Sequence, residues 1–231
     1  NAAYGNERMA AYLFLPHGKR GPFQVVLFFP GSDAIYTRIS DPTVMPKDFD
    51  FFIRSGRAVL FPVYKSTFER ADDLKTDTPV MTNSYRDHVI MWVKDVSRSI
   101  DYMQTRIDLD CSKLAYYGVS WGGGMGAIVP AIEKRLAAVV LHVAGLSLER
   151  SLPEVDALNY VSRVKVPVLM LNGKYDHFFP VETSMMPMYT LLGTPIHQKN
   201  KFLYESGHSV PRHELIKNAL DWLDQCFGPV Q

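Results

Sequence analysis

The 231-residue sequence predicts an α/β fold, a mainly parallel sheet with helices on both faces. Three observations predict it. Apolar runs of strand length alternate with helix-like segments over most of the chain. Several of those runs, at residues 23–29, 136–144 and 166–172, are apolar almost throughout, which suits strands covered on both faces. Finally, Gly118-Val119-Ser120-Trp121-Gly122 follows one such run and precedes a helix start, where a parallel sheet turns from strand to helix.

The elements follow in order. Residues 9–15, closed by Pro16, read as an outer strand. Phe23 begins its partner, and Pro30-Gly31-Ser32-Asp33 breaks it. Residues 47–55 form a short helix with Phe49, Phe52 and Ile53 on one side, and 57–64 form the next strand. The polar stretch 65–83 is too long for a bare connector and reads as a functional loop, with the charges of 69–75 on a solvated face. Residues 84–106 give the clearest helix, since Val89, Val93, Val96, Ile100 and Met103 recur at steps of three and four. Residues 113–118 form the strand into Ser120, and 125–134 continue as helix. Strands follow at 136–144, 166–172 and 199–205. A closing helix at 211–226 buries Leu215, Ala219, Leu220 and Leu223. The Met185-Met186-Pro187-Met188 cluster reads as a helix packing face, with an adaptable pocket wall as the alternative.

Composition narrows the function classes. Hydrophobic residues make up 47% and charged residues 21%, which is globular rather than disordered. A net charge of +1 gives no global attraction to nucleic acid or anionic lipid. No apolar run is long enough to span a bilayer, so no membrane partner is expected. Cys111 and Cys226 make neither a disulfide framework nor a metal-ligand pattern; they read as two structural thiols, with one bridge as the alternative. Residues 1–231 read as one domain without an internal repeat. The start at Asn1, without Met or an export signal, fits a piece of a longer chain, with a processed mature form as the alternative, and a cytoplasmic location is favoured.

The chemistry centres on Ser120. A serine hydroxyl is a poor nucleophile until a base takes its proton and an acid orients that base. In open parallel sheets functional groups gather at the carboxyl ends of strands. Asp176 follows the strand ending Asn172-Gly173, and His208 follows the last strand within Ser206-Gly207-His208. The order Ser120, Asp176, His208 is the one this kind of elbow uses. The plainer readings are a turn serine, a helix-capping aspartate and a surface histidine. His177 and His213 compete for the role of base; one adjoins the acid and the other sits within the last helix. His142 lies in an apolar strand and reads as a hydrogen-bonded core histidine.

Those three segments together resemble an α/β-hydrolase-fold serine hydrolase, most similar to its dienelactone-hydrolase-like and prolyl-oligopeptidase-like branches. The resemblance spans nearly the whole chain, from Gln24 to Cys226. It implies a nucleophile at Ser120, an acid at Asp176 and a base at His208, with no metal or cofactor. It also implies an oxyanion hole formed by the N–H of Trp121 and a second N–H after the strand at 23–29. Many relatives have His-Gly there; this chain has Pro30-Gly31, so the donor falls to Ser32. Tyr64 and Trp121 are expected to line the substrate pocket, with core packing as the alternative for each. The segment 146–165, where relatives often insert a lid, is short and implies little or no lid. The expected activity is a carboxylesterase for small to medium soluble esters. The alternatives are a peptidase of the prolyl-oligopeptidase type and a non-catalytic binding domain on the same fold.

Overall fold

Seven strands form one sheet in the order β1-β3-β2-β4-β5-β6-β7. They are β1 (Ala11–Phe14), β2 (Phe23–Phe29), β3 (Ala58–Pro62), β4 (Leu109–Val119), β5 (Ala138–His142), β6 (Val168–Gly173) and β7 (Lys199–Tyr204). The computed structural model describes residues 1–230. β1 runs antiparallel to β3, and all other pairings are parallel. β2, β3 and β6 are buried from end to end and β5 in all but its last residue, as their continuous apolar sequences require. β7 closes one edge and carries Lys199 and Lys201, charges that discourage pairing with another sheet.

Seven α-helices connect or flank the strands: α1 (Asp33–Tyr36), α2 (Asp50–Ser55), α3 (Asn83–Gln104), α4 (Trp121–Met125), α5 (Val129–Ile132), α6 (Met186–Leu191) and α7 (Arg212–Phe227). α3 starts where Thr82 accepts the N–H of Tyr85 through its side chain, a cap worth about 1 kcal/mol. Its predicted stripe, Val89 to Met103, is buried, and Trp92 joins it at the centre. α7 buries Leu215, Ala219 and Leu223 as expected, but Trp222 takes the place predicted for Leu220, which is only half-buried.

Three expectations change. The helix expected over 125–134 is broken into α4 and α5, because four of residues 122–126 are glycine and Pro130 has no N–H to continue the ladder. The strand into Ser120 starts earlier, at Leu109, and carries a register shift opposite Gln24/Val25. Met45–Asp48 forms a 3₁₀ turn ahead of α2. Met185 and Met188 are fully buried, so this cluster is packing. Cys111 and Cys226 are separate free thiols, and burial pushes the Cys226 thiol up to about 11.

Two polar clusters fasten the layers. Arg57 is buried on β3's approach and donates to Gln24 Oε1 at 3.0 Å and to Asp224 on α7. Asp95 of α3 is fully buried and accepts from Arg70 at 2.7 Å, from the Tyr4 hydroxyl at 2.8 Å and from the Lys65 N–H at 2.9 Å. Burial pushes the Asp95 carboxyl up, and the Arg70 charge opposes it. This cluster pins the start of the 65–83 stretch, whose far end reaches the functional site. Among the described residues, no helix is long and apolar enough to cross a membrane.

Candidate active site

Ser120 joins β4 to α4 with φ 52° and ψ −108°, a conformation that L-residues rarely adopt. Such strain persists only where the surroundings over-determine it. Here its N–H donates to the His142 carbonyl at 2.9 Å, and the next turn is pressed against β2. Any side chain at Gly122 would collide with the Phe29 carbonyl, which is why glycine is required two positions after the serine.

The imidazole of His208 bridges the serine and the aspartate. Its Nε2 lies 2.8 Å from Ser120 Oγ, and its Nδ1 lies 2.7 Å from Asp176 Oδ2. A carboxylate only accepts, so Nδ1 carries the proton and Nε2 is left to accept from the serine hydroxyl. The other oxygen of Asp176 accepts the N–H groups of Phe178 at 2.9 Å and Phe179 at 3.1 Å. Burial pushes this carboxyl upward, but the His208 hydrogen bond and those N–H groups outweigh it, and Asp176 is held below its ordinary value. The rings of Phe178 and Phe179 then flank the imidazole, with centroids 4.7 and 5.9 Å away. One dipeptide thus grips the acid by its backbone and the base by its side chains. Gly173 lets the loops after β6 and β7 meet, since any side chain there would overlap the Gly207 carbonyl. His177 and His213 take no part; His177 packs at a tilt against Phe178, and His213 lies exposed beside Glu214.

The Pro30–Asp33 turn packs directly on the serine: a methyl group at Gly31 would come to 3.5 Å from Ser120 Cβ. Pro30 has no N–H, yet its carbonyl accepts the Gly122 N–H at 3.0 Å. Among the described residues, the N–H groups of Ser32 and Trp121 donate to no protein acceptor. Both residues border the same cavity as Ser120.

The two side chains expected in the pocket behave differently. Tyr64 is corrected: it is fully buried, stacks on Phe29 at 4.1 Å and donates to the Phe28 carbonyl at 3.0 Å, away from the cavity. A strand with Tyr at its end gave no means of telling which face the ring takes. Trp121 does border the cavity, but its ring is 4% exposed and lies edge-on to Phe29 and Trp92, so it is chiefly core.

The cavity has a volume of about 970 Å³. It opens over Ser120 and His208, and its walls come from the turn after β2, from residues 76–79 and from residues 145–158. The short 146–165 segment is therefore a wall, held in part by Arg150 on Asp156 at 2.6 Å. His142 also lines it, which its strand sequence did not reveal. Its Nδ1 lies 3.2 Å from the Tyr117 hydroxyl, but its buried Nε2 has no partner among the described residues. Burial first, and the nearby His208 second, lower its pKa from 6.5 to about 4, so it is neutral at neutral pH. The signal was present in the sequence as one polar residue ending an otherwise apolar strand. Among the described residues, no three His, Cys, Asp or Glu side chains converge where a metal ion could sit.

A family model for the dienelactone hydrolase family matches residues 9–194. The chain belongs to the dienelactone hydrolase family. It is accordingly a hydrolase, and its sheet order and helix layers are those of the α/β-hydrolase fold. The match includes Ser120 and Asp176 and stops before His208. No curated protein matches the chain in sequence. Several solved structures are similar in fold. A cold-adapted esterase from an Arctic intertidal metagenomic library is 16% identical with a TM-score of 0.71, over 94% of this chain and 88% of that one. The acetyl xylan esterase of Paenibacillus sp. R4 is 18% identical with a TM-score of 0.69, over 95% and 80%. Thermogutta terrifontis esterase 2 is 15% identical with a TM-score of 0.72, over 99% and 93%. At these identities the likeness is one of fold.

Proposed function

We propose that this dienelactone hydrolase family member is a serine carboxylesterase acting on small to medium soluble esters. The observation that carries the reading is the hydrogen-bonded series Asp176–His208–Ser120 on the cavity floor, beside two N–H groups without protein partners. His208 Nε2 takes the Ser120 proton as Oγ attacks the ester carbonyl. The new oxyanion is held by the Ser32 and Trp121 N–H groups, which have nothing else to donate to. Collapse of this intermediate breaks the bond to the alcohol, and the imidazolium returns its proton to the leaving oxygen. Water then attacks the acyl-enzyme with His208 as base, releasing the acid and regenerating Ser120. Throughout, Asp176 stays ionised and stabilises the positive imidazole, a role suited to its lowered pKa.

The test is a series of p-nitrophenyl esters from acetate to palmitate, with Ser120→Ala as control and peptide p-nitroanilides alongside. Turnover of the shorter esters that vanishes in Ser120→Ala supports the proposal. Faster turnover of the anilides would move the assignment to a peptidase. Failure of Ser120 to react with a fluorophosphonate would remove the esterase reading altogether.

A further inference from the structure

The charge of the cavity wall is lopsided. Six carboxylates border it (Asp33, Asp41, Asp48, Asp77, Glu149 and Asp156) against two cations, Lys47 and Arg150. Arg150 is already taken by Asp156. Among the described residues, none of the other five acids makes an ion pair within 4.0 Å. Two of them, Asp48 and Asp77, lie close to the Ser32–Asp33 turn that borders the cavity with Ser120. Asp77 sits beside Ser32, in the stretch that the sequence marked as a functional loop. Asp48 ends the 3₁₀ turn Met45–Asp48 and is exposed at the cavity rim, with Lys47 next to it and the Arg212 charge nearby. Burial raises both carboxyls above their ordinary value, in each case as the largest cause. A wall of this kind repels an anionic substrate and favours a ligand that brings positive charge.

A second feature points the same way. The wall is rich in aromatic rings, among them Tyr36, Phe61, Phe68, Tyr85 and Phe178. Tyr36 and Phe178 are 60% and 62% exposed at the mouth, with ring area free for a ligand. Aromatic faces attract alkylammonium groups through the negative face of the ring, and carboxylates beside them add direct charge attraction. His142, which also lines the wall, is neutral and offers no competing cation.

We propose that the cavity selects esters carrying an organic ammonium group, recognised by Asp48, Asp77 and the aromatic rings around them. The inference rests on the esterase reading for the reaction but concerns recognition, so the two can fail separately.

Isosteric pairs provide the test. On the acyl side, p-nitrophenyl 4-(trimethylammonio)butanoate is compared with p-nitrophenyl 5,5-dimethylhexanoate. On the alcohol side, acetylthiocholine is compared with 3,3-dimethylbutyl thioacetate. The corresponding acyl amides, 4-(trimethylammonio)butanamide and 5,5-dimethylhexanamide, are titrated by calorimetry, which reads recognition without turnover. The ammonium member of at least one pair is expected to be favoured about tenfold or more in kcat/KM, and the ammonium amide to bind correspondingly tighter. That ratio should shrink in Asp77→Asn, in Asp48→Asn and at high salt. The ratio is internal to each variant, so a general loss of activity does not disturb it. Equal rates and equal binding for charged and neutral members would overturn the inference while leaving the esterase intact. A preference that survives both Asn variants would overturn the assignment to these residues. Tighter binding of the ammonium amide with no ester turned over would uphold the inference and sink the esterase reading.

Discussion

The Tyr117 hydroxyl lies 3.2 Å from His142 Nδ1 and has no other partner among the described residues. An O–H donates where it can, so the hydroxyl gives its proton to Nδ1 and leaves the imidazole proton on the unpartnered Nε2. The ring is thereby fixed as a neutral tautomer in the cavity wall.

That relationship has a pH consequence. The folded pKa of His142 is about 4, against 6.5 for the unfolded chain. Between those values the unfolded state binds more protons, so this group's contribution to stability falls as pH drops from 6.5 towards 4. The full effect is about 3 kcal/mol. Urea unfolding at pH 7 and pH 4.5 should show a smaller acid loss in His142→Phe than in the wild type. Identical pH slopes would show that the imidazole is not held neutral.

The reacting groups are expected to act as one unit. Ser120→Ala and His208→Ala should each lower kcat by about 10⁴-fold or more, and the double variant should be little slower than either. Additive losses in kcat would contradict a proton passed between Ser120 and His208.

The oxyanion assignment can be tested through the backbone. Ser32 has φ −59°, which a proline ring accepts, so Ser32→Pro removes the N–H with little distortion. That variant should lose roughly 10²–10³ in kcat with KM little changed, while Ser32→Ala keeps the N–H and most of the activity. Equal losses in both variants would assign the effect to the side chain.

The Arg70–Asp95 pair sets a stability prediction. Arg70→Ala strands a fully buried carboxylate and should cost about 3–5 kcal/mol, read as a lower chemical-denaturation midpoint. A cost below about 1 kcal/mol would mean that water replaces the guanidinium.

Much of this architecture is legible in the chain, for identifiable reasons. Phe23–Phe29 is bounded by turn residues and apolar throughout, so its limits could be read directly. The Ser120, Asp176 and His208 positions were legible because parallel sheets gather polar residues at strand ends, and the structure brings those three side chains into contact. Properties decided by distant neighbours were not legible. Tyr64 turns inward because Phe28 offers a carbonyl and Phe29 a ring, a choice made by β2 rather than by β3. The unsatisfied His142 depends on which groups β4 and the His208 loop bring beside it. Asp48 and Asp77 are far apart in sequence and become one wall only through the cavity.

Pro30 ties the turn after β2 to the turn after β4. Its carbonyl is bonded to the Gly122 N–H, so the turn bearing Ser32 is anchored to the very residues that present Ser120. The spacing between the Ser32 turn and Ser120 is set by that bond and not by the outer walls. Mutations could therefore redraw the substrate range along residues 76–79 and 145–158 without detuning the bond-making step. A scaffold partitioned this way can drift in preference while keeping its rate.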